Sequence, residues 1–543
     1  MNNALLKTPP APNEPTYAYA PGSPERVALK AELERQLKEG VDVPLIIGGK
    51  EVRTGKTAPM IRPDAHGTEL GVFHKAGAAE TKAAVEAALA ARKDWERMPW
   101  EERAAIFRKV GELAAGKYRP LLCAATMLNQ GKTAQQAEID AADETIDYYR
   151  VNLSFMESLY SLQPESLKNE WNRMSYRGLE GFVYSVSPFN FTAIAANLAA
   201  APAMMGNVVV WKPSSTSVLS NYYLMKLYEE AGLPPGVINF VPGSGAAISG
   251  VVLERPELAG FHFTGSTAVF RGIWKGIAAN LDKYRTYPRI VGETGGKNYI
   301  FVDPSADPEA SLVAAVRGAY EYQGQKCSAA SRLYVPASWG QSFLDKLTSV
   351  VKSLPYGEVT DFRNYLGAVI DEASFDNITP YLRRAASSSK AKVLAGGSGD
   401  KSKGFFIEPT LIQALDPHYE TMETELFGPV LTAYVYDDRD MDAAYALVDS
   451  TSPYGLTGSV MARDRGAIVR AQAALRDTAG NFYVNDKPTG AVVGRQPFGG
   501  ARASGTNDKA GSLLNLTRWA SPCAIKENLE PATEWRYPYM GES

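Results

Sequence analysis

The stretch FVYSVSPFNFTAIAANLAAAPAMMGNVVVWKPSS, residues 182–215, decides the fold class. It opens on a short apolar run, Val183–Val186, and passes through Ser187-Pro188-Phe189-Asn190-Phe191 into a helical segment. It then returns to a second apolar run, Val208–Trp211. Helical residues Ser217–Ala231 follow, then the apolar runs Ile238–Val241 and Phe261–Phe263. Short apolar strands alternating with helices predict a parallel sheet covered by helices. A second α/β stretch begins at Tyr299-Ile300-Phe301-Val302 and runs through Tyr434-Val435-Tyr436, which predicts a domain boundary near Val291.

Working outward, Ser23-Pro24-Glu25 reads as a helix start, with Ser as cap and Pro in the first turn. Val43–Ile47 with Gly48-Gly49 reads as a strand and turn, Ala78–Ala114 as Ala-rich helices meeting near Trp95 and Trp100, and Ala134–Leu162 as a long helical stretch. Residues 1–22, rich in Pro and Ala, read as a surface arm. The C-terminal end carries Trp519, Trp535, Tyr537 and Tyr539, too aromatic for a solvated tail, and a partner subunit is the expected place for it to pack.

The composition of the 543-residue chain, 45% hydrophobic and 22% charged, is that of a globular enzyme. At roughly 100–200 residues per domain, several structural units are expected. A formal net charge of -3 gives no basic footprint for nucleic acid and no polybasic patch for a membrane. No run of about 18 apolar residues is present. Residues 1–19 lack both a signal core and the Arg-rich pattern of a transit peptide. The expectation is a soluble protein of the cytoplasm, or of the mitochondrial matrix if the source is eukaryotic. Cys123, Cys327 and Cys523 are too few and too scattered for a disulfide framework. His66, His74, His262 and His418 fall at no metal-ligand spacing, so no metal is expected.

Two glycine motifs are false leads. Gly243-Ser244-Gly245 follows a strand, but Ile248 stands where the dinucleotide fingerprint needs its third glycine. Gly292 to Lys297 resembles a phosphate loop, but Val291 occupies the first glycine position and Asn298 follows the lysine. Other segments carry chemistry. A lone cysteine is ordinarily a buried small hydrophobe, yet Cys327 sits in Gly324-Gln325-Lys326-Cys327-Ser328, a polar setting suited to a nucleophilic thiolate. Glu293, between Gly292 and Thr294-Gly295-Gly296, is either a solvated turn residue or a carboxylate on mobile backbone near a reacting centre. Asn190, between a strand and a helix, either caps that helix or aims its amide at a developing oxyanion. Lys212 closes a strand, where cofactors sit in parallel sheets, and Gly265-Ser266 forms a turn suited to phosphate contact at the next helix.

Taken in order along residues 40 to 525, these segments resemble the aldehyde dehydrogenase superfamily, together with Glu423-Thr424-Glu425-Leu426-Phe427-Gly428-Pro429-Val430 and Pro497-Phe498-Gly499-Gly500. The resemblance implies an α/β aldehyde dehydrogenase fold. An N-terminal arm (1–40) would precede a Rossmann-like NAD-binding domain (41–159 and 179–291) and a catalytic α/β domain (292–505). A β-hairpin and C-terminal oligomerisation element (160–178 and 506–543) would complete it, making a homodimer or higher oligomer. It implies Cys327 as nucleophile, Glu293 as the base that activates water and Asn190 as oxyanion donor. Cofactor contacts fall on Ser187, Lys212, Gly265, Ser266, Glu425 and Phe427. Thr294 replaces the leucine common after the base, and Ser215 stands where many NAD-preferring relatives carry a ribose-binding glutamate. NAD is the expected cofactor, with NADP left open.

Within the superfamily, Gly131–Asp147, Arg177–Phe182, Gly324–Ala329 and Ala479–Asp508 resemble the branch that oxidises glutamate γ-semialdehyde to glutamate in proline breakdown, in its stand-alone form. By that resemblance Gly490 and Ala491 N–H groups and the Ser328 hydroxyl hold the substrate carboxylate, Glu144 faces its ammonium, and Phe191 and Phe498 clamp its methylenes. Taken alone, Glu144 would read as a solvated helix charge. The alternatives are a dehydrogenase of another aldehyde, a coenzyme-A-acylating relative, or a catalytically silent structural one. Glu293 argues against the second, and the intact Cys327, Asn190 and Glu293 set against the third.

Overall fold

A computed structural model describes residues 6–541. The N-terminal half begins with helix α1 (Pro24–Glu39), whose Ser23 cap accepts from Arg26 N–H. Hairpin strands β1 (Leu45–Ile47) and β2 (Lys50–Val52) follow. Next come helices α2 (Ala78–Arg97), α3 (Trp100–Ala115) and α4 (Arg119–Gln130). A π-helical turn, Glu138–Glu144, leads into α5 (Thr145–Tyr160), and strand β3 (Glu170–Arg177) follows. Such turns are rare and tend to mark functional sites.

The alternating region forms β4 (Phe182–Val186), α6 (Thr192–Met204), β5 (Val208–Lys212), α7 (Val218–Ala231), β6 (Ile238–Phe240), β7 (Leu258–Thr264), α8 (Thr267–Ala279) and β8 (Arg289–Glu293). These strands form a sheet in the order β8-β7-β4-β5-β6-β1-β2, parallel from β8 to β6. The strand order reverses at β4. In such sheets the crevice at the carboxyl ends of the strands beside the reversal receives ligands. Ser187, Lys212, Gly265 and Glu293 lie at those ends.

The chain crosses to a second sheet through four residues, Thr294–Lys297, and enters it at β9 (Asn298–Val302). Helix α9 (Pro308–Tyr320) and β10 (Ala330–Pro336) come next, then β11 (Ala391–Ala395), β12 (Thr410–Ala414), β13 (Val430–Tyr436), β14 (Thr457–Met461) and β15 (Asn481–Val484). The order is β11-β12-β13-β10-β9-β14-β15, parallel except at β11. The second sheet has one core on each face, whereas a single large core covers the first sheet and the N-terminal helices. The amino ends of β9 and β10 therefore meet the carboxyl ends of β4, β7 and β8, and the reactive segments lie between.

Three expectations need correction. Residues 160–178 hold one strand, not a hairpin: β3 pairs antiparallel with β16 (Ser521–Asn528), from the far end of the chain. The boundary near Val291 cuts β8, because Gly292 and Glu293 continue in parallel register with Phe263 and Thr264. The C-terminal element starts later than 506, since Leu516, Trp519 and Ala520 are buried in the first core. The arm is also more tightly held than a solvated one. Leu29 and Leu33 of α1 are in the core, and Tyr19 donates to Glu138 at 2.6 Å.

Candidate active site

Cys327 lies between α9 and β10 on a segment the chain cannot relax. Tyr322 and Gln323 both take left-handed φ values of 53°, and strain of this kind persists only where surroundings over-determine it. Gln323 supplies them, donating to the Gly131 and Ala368 carbonyls at 2.8 Å while accepting from Gly367 N–H. Gly324 (φ 67°) has no room for a side chain, because a Cβ would sit 2.2 Å from the Gly428 carbonyl oxygen. Asn298, the first residue of β9, donates to the Cys327 carbonyl at 2.7 Å. The thiol is 8% exposed.

Asn190 is not the cap of α6. That role falls to Asp140 in the π-turn, whose carboxylate accepts from Thr192 and Ala193 N–H at 2.9 and 2.8 Å. Asp140 also holds the buried Lys132 ammonium at 2.7 Å. Lys132 lies 3.9 Å over the Phe191 ring. Asn190 is thus left to reach the cysteine loop, donating to the Gln325 carbonyl at 2.9 Å. Glu293, at the end of β8, accepts from Gly500 N–H at 2.7 Å.

A cavity of about 70 Å³ opens at the thiol, and Glu144, Phe191, Ser328, Gly490, Ala491 and Phe498 all line it with Cys327. All six of the expected substrate residues meet there, drawn from the π-turn, the start of α6, the cysteine loop and the segment after β15. Tyr148, Val493 and Gln496 also stand in the wall. Burial pushes Glu144 up to about 8, helped by Asp140 and opposed by Lys132. Burial likewise raises Cys327 to about 12, with Glu293, Glu425 and Glu144 adding to it. Lys326, beside the thiol, is spent on Glu321 at 3.1 Å, so it does not act as the activating cation its place in the sequence suggests. Glu425, raised to about 7 by burial, and Glu293, pushed well up for the same reason, are with Glu144 the acids whose charges bear on the Cys327 thiol.

With this geometry in view, likeness to known proteins becomes informative. The aldehyde dehydrogenase family profile matches residues 51–521. The chain belongs to the aldehyde dehydrogenase family. It is 52% identical over 541 residues to the probable delta-1-pyrroline-5-carboxylate dehydrogenase of Schizosaccharomyces pombe, covering 98% of this chain and 99% of that one. It is 47% identical over 530 residues to the mitochondrial delta-1-pyrroline-5-carboxylate dehydrogenase of Homo sapiens, covering 97% and 94%. The crystal structure of the Mycobacterium tuberculosis delta-pyrroline-5-carboxylate dehydrogenase bound with NAD superposes with a TM-score of 0.96 at 48% identity, covering all of both chains.

The crevice of this aldehyde dehydrogenase fits a dinucleotide. Lys212 closes β5 half-buried, its ammonium without a hydrogen-bond or salt-bridge partner among the described residues, and partial loss of water alone lowers it to about 8. An ammonium so placed suits hydroxyl or phosphate oxygens. Ser187 Oγ instead accepts from Trp211 Nε1–H at 3.0 Å, and Ser266 caps α8 by accepting from Val269 N–H. Glu425 accepts from Gly296 N–H at 2.8 Å, and Phe427 (φ 58°) packs edge-on against Phe189. These five and Gly265 do not line the cavity at Cys327; Glu425 and Phe427 line a small separate one with Lys297. Sequence reading passed over Asp140, Lys132 and Tyr148. Tyr148 was accessible, one helical turn beyond Glu144. The capping role of Asp140 was not, because its partners lie 52 and 53 residues on.

Proposed function

We propose that this aldehyde dehydrogenase oxidises L-glutamate γ-semialdehyde, in equilibrium with 1-pyrroline-5-carboxylate, to L-glutamate with NAD. The observation that carries this reading is the cavity at Cys327, which offers both polar anchors and apolar walls. The Ser328 hydroxyl and the Gly490 and Ala491 backbone would take a carboxylate at one side, Glu144 an ammonium, and Phe191 and Phe498 the methylenes between. The relatives' names support the same substrate. A zwitterion would satisfy groups that an aliphatic aldehyde leaves unpaired, which is how such sites discriminate.

In this reading Cys327 reacts as the thiolate, its proton given up to solvent, and the sulfur bonds to the aldehyde carbon. The new oxyanion is met by the Asn190 amide. NAD, when bound, supplies the acceptor for the hydride that this carbon gives up. Lys212 at the end of β5, with Ser187, Gly265, Ser266, Glu425 and Phe427 around the crevice, would hold it; Ser215 places no acid there to repel the extra phosphate of NADP. Glu293 then takes a proton from water as the water oxygen bonds to the thioester carbon and the C–S bond breaks. The test is NADH formation with glutamate semialdehyde against propanal. The semialdehyde should be favoured by about a hundredfold or more in kcat/KM; equal efficiency would defeat the substrate assignment and spare the dehydrogenase chemistry.

No residue of the β3–β16 pair is buried, those of β3 being mostly half-buried and those of β16 mostly exposed, and Trp535, Tyr537 and Tyr539 beyond it are 75, 67 and 84% exposed. We assign this element to contact with a second copy in at least a dimer. No helix is long and apolar enough to cross a membrane among the described residues. Several relatives are named as mitochondrial, and we place this chain in the matrix if its source is eukaryotic and in the cytoplasm otherwise.

A further inference from the structure

The segment that cradles Glu293 contains a cation that the mechanism above leaves unused. Residues 504–506 clasp the end of β8 on both sides: Thr294 N–H donates to the Ser504 carbonyl at 2.7 Å, and Thr506 N–H to the Gly292 carbonyl at 2.8 Å. Thr506 Oγ1 accepts from Gly292 N–H at 2.9 Å. Asn507 and Lys509 then take left-handed φ values of 59° and 53°, a cost tolerated where a side chain must be aimed. Lys509 is aimed back under the Gly499-Gly500 turn. Its ammonium donates to the Gly480 carbonyl at 2.7 Å and the Gly499 carbonyl at 3.1 Å, with Asn481 Oδ1 at 3.4 Å. Asn481 Oδ1 also accepts from Gly499 N–H at 3.1 Å. Gly500, the next residue, is the one whose N–H holds the Glu293 carboxylate.

The ammonium therefore fixes the turn that holds the base, and among the described residues it forms no salt bridge: Asp508, next in the chain, is engaged by Arg518 at 3.2 Å. The groups that bear on Glu293 are Lys509, which favours its charged form, Asp508, which opposes it, and the Cys327 thiol and Tyr148 hydroxyl across the site. Burial is the largest influence on Glu293 and opposes ionisation; Lys509 is the cation that offsets it.

Resting on the function proposed above, we propose that Lys509 is a positioning residue for the hydrolytic half of the reaction, fixing the turn that presents Glu293 and favouring its carboxylate form. The oxidation half, carried by Cys327 and Asn190, does not depend on it. Hydrolysis needs Glu293 ionised to accept the water proton; the C–O bond forms, the C–S bond breaks, and the proton returns to the departing thiolate.

The test is K509M in the full-length enzyme with NAD and glutamate semialdehyde. The expected record is a burst of about one NADH per site at a rate within about twofold of the wild type, then a steady state slower by about tenfold or more. Intact mass should show the acyl group accumulating on Cys327, and the acidic limb of the steady-state pH profile should move up by about one unit. K509R, which keeps the charge, should restore most of the steady rate. K509Q, which keeps a donor but no charge, replaces K509M if that variant does not accumulate. A steady state within about twofold of wild type, a burst falling in proportion with it, or an unmoved acidic limb overturns the proposal. A wild type inert towards the semialdehyde instead defeats the substrate reading, and the Lys509 comparison can then be made with propanal.

Discussion

At the scale of single residues, the chemistry rests on a thiol and several acids whose protonated forms burial favours. Cys327 at about 12 and Glu144 at about 8 are both raised chiefly by burial. Cys327→Ser should abolish NADH formation while cofactor binding, read by fluorescence quenching, persists, because a hydroxyl is a far poorer nucleophile. Glu293→Gln should keep the first turnover and stall the next, a burst without a steady state; parallel loss of both would assign Glu293 elsewhere. Glu144 gives a pH dependence whose sign follows from its environment. Below about 8 it is protonated and must lose that proton to face an ammonium; above, it is already charged. KM for the semialdehyde should thus fall as pH rises from 7 to 9, and the slope should flatten in Glu144→Gln. Equal slopes in the two enzymes would remove Glu144 from substrate binding.

At the scale of elements, the π-turn matters more than its length suggests. It presents Glu144 to the cavity, caps α6 through Asp140 and seats Lys132 against Phe191. Asp140→Ala removes two N–H acceptors from α6 and leaves a buried ammonium without its partner. The expected loss is about 3–5 kcal/mol, the usual result of breaking a buried pair from one side. A denaturant midpoint near that of the wild type would show that water or a neighbour takes over. The turn was legible only as part of a long helical stretch, Ala134–Leu162, because composition does not distinguish i→i+5 from i→i+4 bonding. Two strands of the first sheet were legible almost residue by residue, since buried parallel strands are continuous apolar runs, whereas Phe261–Phe263 gave only the middle of β7 and β8 was not read as a strand. Val183–Val186 and Val208–Trp211 each lie inside the observed strand with one residue missing at an end.

At the scale of the whole molecule, β16 crosses from the far end of the chain to pair with β3, and among the described residues neither has another strand partner. Trp519 and Ala520 are buried in the first core, so a truncation that tests the element should begin at Ser521. Removing 521–543 leaves β3 without its strand partner and both its edges unpaired, which sheets avoid. The truncated protein should sediment as a smaller species or become insoluble while retaining its folded core by circular dichroism. An unchanged sedimentation profile would place the subunit contact elsewhere.

The sequence by itself determined the alternation of strand and helix, the two α/β units and the residue types able to do the chemistry. These are local properties: apolar runs, caps and glycine turns act within a few residues of themselves. Cys327, Glu293 and Asn190 could be singled out because their surroundings in sequence are unusual for their types. Only the tertiary structure decided how those residues are held. Asp140 takes the cap that Asn190 was a candidate for, Glu321 takes Lys326 away from the thiol, and Lys509 reaches back to the turn that holds Glu293. Each depends on partners brought together by packing, and a burial-driven shift exists only once the chain has excluded water. Charge and proton affinity at this site are thus properties of the folded interior, and no reading of neighbours along the chain could supply them.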